Sequence, residues 1–169
     1  MIASVIIAAL ALVVSSISLY FSRRSWRETY RPIVVARVTT HSAGNLACCY
    51  NLMIENCGNR PARDIRLRVS EADLRAALNP KAREEPEGIL ACFSEKACIH
   101  VLANGASTSA YFGTTEVDEK HATWIPDSSF TAQLTYEGFD GAKYSSAARL
   151  RISVGPSFTG WSWGDEKTG

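Results

Sequence analysis

The run IASVIIAALALVVSSISLYF, Ile2 to Phe21, is twenty residues long and contains no charge, no proline and no glycine. As a helix it rises about 30 Å, the thickness of a bilayer's hydrocarbon core. A secretory signal carries positive charge ahead of a shorter apolar region and ends in a small-residue cleavage site. Here only Met1 and the α-amino group precede the run, and Leu19, Tyr20 and Phe21 continue it beyond Ser16 and Ser18. A soluble core helix fits poorly with the abrupt change to SRRSWR. Residues 2–21 are read as a retained transmembrane helix and residues 22–31 as a basic juxtamembrane segment.

The flanks set an orientation. Arg23, Arg24, Arg27 and Arg31 follow the span, and no side-chain cation precedes it. Basic residues beside a span stay cytoplasmic, and acidic ones such as Glu28 count for little. Tyr20, Trp26 and Tyr30 suit the headgroup region, where rings meet apolar and polar neighbours. The expectation is a single-pass protein of the inner (cytoplasmic) membrane, with its N-terminus outside and its C-terminal domain in the cytoplasm. Five cysteines, Cys48, Cys49, Cys57, Cys92 and Cys98, form an odd set without framework spacing. That pattern suits small buried thiols in a reducing compartment.

Within the span, Ser4, Ala8, Ala11, Ser15 and Ser18 continue to Ser22 and Ser25 in alternating steps of four and three. This is the 3.5-residue period of a left-handed helix pair. Lipid gives helices no hydrophobic reason to associate, so close approach across small residues has to supply it. The span is expected to self-associate into a homo-oligomer along this seam. No ionisable residue interrupts it, which argues against a proton or ion relay.

Residues 32–155 read as one β-rich domain with a net chain charge of only +1, which gives no general pull toward a nucleic acid polymer. Apolar residues alternate along four segments. They are Leu46, Cys48, Tyr50, Leu52 and Ile54; Ile65, Leu67 and Val69; Phe130, Ala132, Leu134 and Tyr136; and Tyr144, Ser146, Ala148, Leu150 and Ile152. Period two marks strands with one buried face. Further strands are expected at Ile33 to Thr40, Ala97 to Leu102 and Ser107 to Phe112, with turns at Asn104-Gly105 and Gly138 to Gly141. A short helix and a charged loop interrupt the pattern between residues 71 and 88. The tail, residues 156–169, carries Phe158, Trp161 and Trp163 among glycines; such rings fold back on a sheet or meet a membrane or partner. The expected fold class is mainly β: an antiparallel β-sandwich of about seven strands behind one N-terminal transmembrane α-helix.

The stretch NLMIENCGNRPARDIRLRV resembles the strand-turn-strand of bacterial immunoglobulin-like sandwiches, including the cell-adhesion-related domain found in bacteria. Asn56, Gly58, Pro61 and Ala62 match that turn, and VLANGASTSAYF is similar to the leucine, glycine and strand that follow in those domains. The resemblance implies a non-catalytic binding or spacing module. Its relatives are usually exported, whereas this domain reads as cytoplasmic. The turns also resemble those of small membrane-anchored bacterial proteins, some of them effectors in phage defence.

Signatures of chemistry are scarce. No Walker-type G-x-x-x-x-G-K-[ST], G-x-S-x-G or H-E-x-x-H occurs. Adjacent Cys48 and Cys49 face opposite ways on a strand, and Cys92, Cys98 and His100 lack zinc-motif spacing. Glu84, Glu85 and Glu87 read as a solvated charge run. No enzyme, cofactor or metal is expected. One constellation has physical content. In an immunoglobulin-like order the strand at Phe130 to Glu137 is flanked by those at Asp64 to Ser70 and Ala142 to Ile152. Arg66, Arg68, Arg149 and Arg151 would then surround Thr131, Gln133 and Thr135 on the outer face. Guanidiniums over a polar floor suit a nucleotide, another anionic ligand or an acidic protein partner; the alternative is a solvated face that only aids solubility. The function expected is a ligand-sensing, membrane-anchored signalling protein, in its sharpest form a membrane-disrupting effector of bacterial defence. A passive scaffold or accessory subunit of an envelope or secretion complex is the rival.

Overall fold

The structure is a computed structural model that describes residues 2–44, 46–80, 87–116 and 122–153. It opens with helix α1 (Ile2–Thr29), 28 residues and about 42 Å long. The helix is a candidate membrane span, and none of its residues is buried against the rest of the chain. A core helix would be covered; this one is not. It is longer than the apolar run because nothing breaks it there. Arg24 pairs with Glu28 one turn on at 3.1 Å, so the basic segment expected beyond the span is mostly helix. Pro32 then disfavours the helical conformation at Arg31, and the chain leaves the helix.

The remainder is mainly β. Strands β1 (Val34–Ala43), β2 (Ala47–Asn56) and β5 (Ser107–Glu116) form one antiparallel sheet in the order β1-β2-β5. Strands β3 (Ala62–Val69), β4 (Ile99–Leu102), β6 (Ser129–Gly138) and β7 (Lys143–Arg151) form the other in the order β4-β3-β6-β7. Helix α2 (Glu71–Ala77) follows β3, and α3 (Glu87–Leu90) runs into a 3₁₀ turn at Ala91–Phe93. The expected short helix is present, and Gly88, expected in the charged loop, lies in α3. Residues 81–86 of that loop, His121 and the aromatic tail lie outside the described residues.

The alternating residues fill the space between the sheets. Tyr50, Leu52 and Ile54 face Ile65, Leu67, Phe130, Ala132, Leu134 and Leu150, all buried. Phe112, Trp124 and Phe130 stack at centroid distances of 4.8 and 5.5 Å, and the Trp124 indole N–H donates to the Phe112 carbonyl. Leu46 departs from its expected place. It precedes β2 and is 77% exposed, because the turn from β1 ends only at Ala47. All five cysteines are free; Cys48 is buried, Cys57 is exposed and the other three are half-buried.

Asn56 ties α1 to the sandwich. Its side chain is fully buried. Oδ1 accepts from Gly58 N at 3.0 Å and Ile33 N at 3.2 Å. Nδ2 donates to the carbonyls of Arg60, Leu102 and Ala103 at 2.7, 3.2 and 3.3 Å. One amide therefore holds the linker after α1, its own turn and the turn between β4 and β5. Gly58 lets the linker approach: a Cβ there would fall 2.5 Å from Arg31 O and 2.7 Å from Pro32 C. The Arg60 guanidinium lies 4.2 Å over the Trp26 ring, and Asn59 Nδ2 donates to Thr29 O at 3.2 Å.

Candidate functional site: the arginine-bearing face of the four-stranded sheet

On β3, Ile65 and Leu67 point into the core, so the intervening Arg66 and Arg68 point outward. The same alternation puts Thr131, Gln133 and Thr135 on the outer face of β6, and Arg149 and Arg151 on that of β7. Cross-strand register aligns Arg66 with Thr135 and Ser145, and Arg68 with Gln133 and Ala147. Arg149 opposes Thr131, and Arg151 opposes Ser129. The seven sequence-derived ligand residues thus share one face, with arginines on both sides of a polar middle strand. They form a diagonal rather than a ring. Arg68 and Arg149 are two strands and two residues apart, about 12 Å between Cα atoms.

The guanidiniums have partners within the chain. Arg66 donates to the Glu95 carbonyl, and Arg68 lies 3.6 Å from the Glu95 carboxylate. Arg149 donates to Ser129 Oγ at 3.1 and 3.3 Å. The Arg68–Glu95 pair is exposed on both sides, and such pairs contribute little, from about 0 to 1 kcal/mol. Glu95 has no signature in the sequence; it reaches the face because the 3₁₀ turn delivers it beside β3.

At the Gly138 end, a groove of about 550 Å³ lies over the same sheet. Arg66, Thr135, Ser145, Lys143, Glu137 and Asp64 line it. Lys143 and Arg63 hold Glu137 from either side, at 3.7 and 3.2 Å. Asp64 also meets His100 of β4 and Cys98 just before it: its carboxylate, Cys98 Sγ and a ring nitrogen of His100 all lie within 4.8 Å of one another. A second cavity, of about 240 Å³, opens between the sheets at β4 and β5 and is walled mainly by Leu52, Ile54, Ile65 and Ile99. Cys92 adjoins it, and burial pushes that thiol's pKa up, keeping it protonated at neutral pH.

In α1, the seam residues Ser4, Ala8, Ala11, Ser15 and Ser18 are exposed. At roughly 100° per residue they and Ser22 and Ser25 fall in a stripe about 100° wide. A family model described as a domain of unknown function, DUF8453, matches residues 1–155, and the chain belongs to that family. No curated protein matches it.

Proposed function

We propose that this member of the DUF8453 family is a membrane-anchored, non-enzymatic sensor. Its sandwich is of the immunoglobulin-like class, a reading supported by three- and four-stranded sheets with β3 and β7 flanking β6. The sandwich lies in the cytoplasm and takes an anionic ligand or acidic partner on the arginine face. The span self-associates in the inner membrane through its small-residue stripe. The sharpest form is an effector of bacterial defence whose clustered spans disrupt the membrane.

The observation that carries this reading is the strand order. It gathers residues 66, 68, 149 and 151 from two separated segments around Thr131, Gln133 and Thr135, three polar, uncharged outward residues of β6. A 12 Å diagonal suits a ligand with two separated phosphates, such as a cyclic dinucleotide, since each guanidinium binds an oxyanion bidentately. A passive scaffold is the second reading. Glu95 favours it, because its carboxylate holds Arg68 and its carbonyl holds Arg66, so neither needs an external anion. The test is equilibrium binding of pyrophosphate, a cyclic dinucleotide and anionic-lipid vesicles to the full chain, at low and high salt. Dye entry on expression runs in parallel. Binding that falls with salt, together with dye entry, supports the effector; neither one supports the scaffold.

A further inference from the structure

A bulge interrupts β3 at Asp64. Across β3 and β6 the register slips by one residue between Arg63 and Arg66, so Asp64 and Ile65 together oppose Tyr136. Asp64 takes φ 51°, the left-handed conformation that an aspartate tolerates better than most residues. Bulges of this kind re-aim a side chain. Against β4 the pairing stays regular, Arg63 with Val101 and Ile65 with Ile99, which sets Asp64 directly across from His100. Cys98, just before β4, brings its Sγ within 3.8 Å of Asp64 Oδ1.

We infer that Asp64, Cys98 and His100 form a three-ligand site for a divalent ion of the zinc class. The donors are one carboxylate oxygen, one thiolate sulfur and one imidazole nitrogen. Thiolate and imidazole select zinc or cobalt and disfavour magnesium and calcium, which take oxygen donors. Ligands about 2.0–2.3 Å from a tetrahedral ion stand about 3.3–3.8 Å from one another. The three donor atoms, within 4.8 Å, need to close by only about an ångström. Asp64 and His100 are exposed, so their side chains turn freely enough to do so. On binding, the Cys98 S–H bond gives way to a sulfur–metal bond and one proton leaves to solvent. A fourth position stays open to water or a ligand.

The proposal does not rest on anion binding at the arginine face, and neither does its test. The full chain, solubilised in detergent, reduced, stripped of metal and carrying no polyhistidine tag, is titrated with Co²⁺. Absorption reads the thiolate-to-cobalt charge transfer and the tetrahedral d–d bands. The expected result is one Co²⁺ per chain, displaced by Zn²⁺. Cys98→Ser should abolish the charge-transfer band, and His100→Gln should weaken binding by at least about tenfold. Cys57→Ser should change nothing. Asp64→Gly separates ligand from fold, since glycine adopts the positive φ without strain. That variant should melt no lower than the wild type and lose at least about tenfold in cobalt affinity. An absent band, a band surviving Cys98→Ser, or wild-type affinity in Asp64→Gly would each overturn the site.

Discussion

Asn56→Asp is the sharpest probe of how α1 is joined to the sandwich. It keeps the shape and keeps Oδ1, which accepts from Gly58 N and Ile33 N. It replaces an NH₂ donor with an oxygen that faces three carbonyls, those of Arg60, Leu102 and Ala103. The NH₂ group supplies two hydrogen bonds' worth of donors, worth about 2 kcal/mol net. An unpaired charge at a fully buried site costs a further several kcal/mol. The expected loss at neutral pH is about 5 kcal/mol, comparable to the whole stability of many domains. Asn56→Ala removes about four bonds and should cost about 4 kcal/mol.

The two variants part company with pH. Burial and the facing carbonyls raise the folded-state pKa of the new carboxyl above its unfolded value of about 3.9. The charge penalty is therefore absent below that value. It grows by about 1.4 kcal/mol per unit as pH rises, until the folded group ionises. Denaturant unfolding of the full chain in detergent, followed by near-ultraviolet circular dichroism, measures each gap from wild type. The Asn56→Asp gap should narrow toward pH 4, while the Asn56→Ala gap stays constant. Gaps under about 1 kcal/mol, or the same pH profile for both variants, would refute the role given to this amide.

Replacing Arg66, Arg68, Arg149 and Arg151 by Gln should preserve the fold and weaken binding of phosphate-bearing probes more than a matched set of changes at Arg23, Arg37, Arg60 and Arg75; equal binding in both sets returns the face to solvation alone. Ala8→Leu with Ser15→Leu should abolish cross-linked oligomers in membranes, whereas Ala9→Leu with Ser16→Leu, off the stripe, should keep them. Cys57 is exposed, so a membrane-impermeant thiol label should spare it in intact cells and modify it after lysis; labelling of intact cells would reverse the proposed orientation. Burial raises the Tyr50 hydroxyl above its usual value near 10, so above pH 10 the unfolded chain ionises first and stability falls as pH rises; Tyr50→Phe should flatten that decline in alkaline unfolding.

Period-two alternation predicted the core because it reports a local fact, which side of a strand faces inward. Ile65, Leu67, Phe130, Leu134 and Leu150 were all legible in this way. The arginine face was legible for the same reason, once a strand order was supplied. Leu46 was not, because alternation continues on paper past the point where a turn ends the strand. The Asp64 cluster was invisible for a different reason. It depends on one backbone dihedral and on a pairing between residues 64 and 100, and no spacing along the chain encodes either. Asn56 and Gly58 were visible as a turn, yet not as a clamp. What they grip, Arg31 to Ile33, lies some 25 residues earlier.

That clamp bears on how binding at the sandwich would reach the membrane. Only residues 30–33 separate α1 from β1; Ile33 N donates to Asn56 Oδ1, and Asn59 Nδ2 donates to Thr29 O at the end of α1, so both sides of the linker are tied to the turn at residues 56–60. β3 begins two residues after that turn and carries Asp64, Arg66 and Arg68 in order along its length. Six residues of extended chain from Arg60 to Arg66 span about 20 Å. The face and the helix thus lie at two ends of one continuous stretch of chain, with a bulge at Asp64 between them. Such a path does not by itself make a switch, which requires an element with two arrangements. The bulge is the candidate, because the residue at its centre holds a conformation that costs free energy and that a ligand at Asp64 or Arg66 would bias. On this reading Asp64→Gly, by removing the strain, should leave the arginine face able to bind and the span able to associate. It should weaken the dependence of cross-linking on the anionic probe.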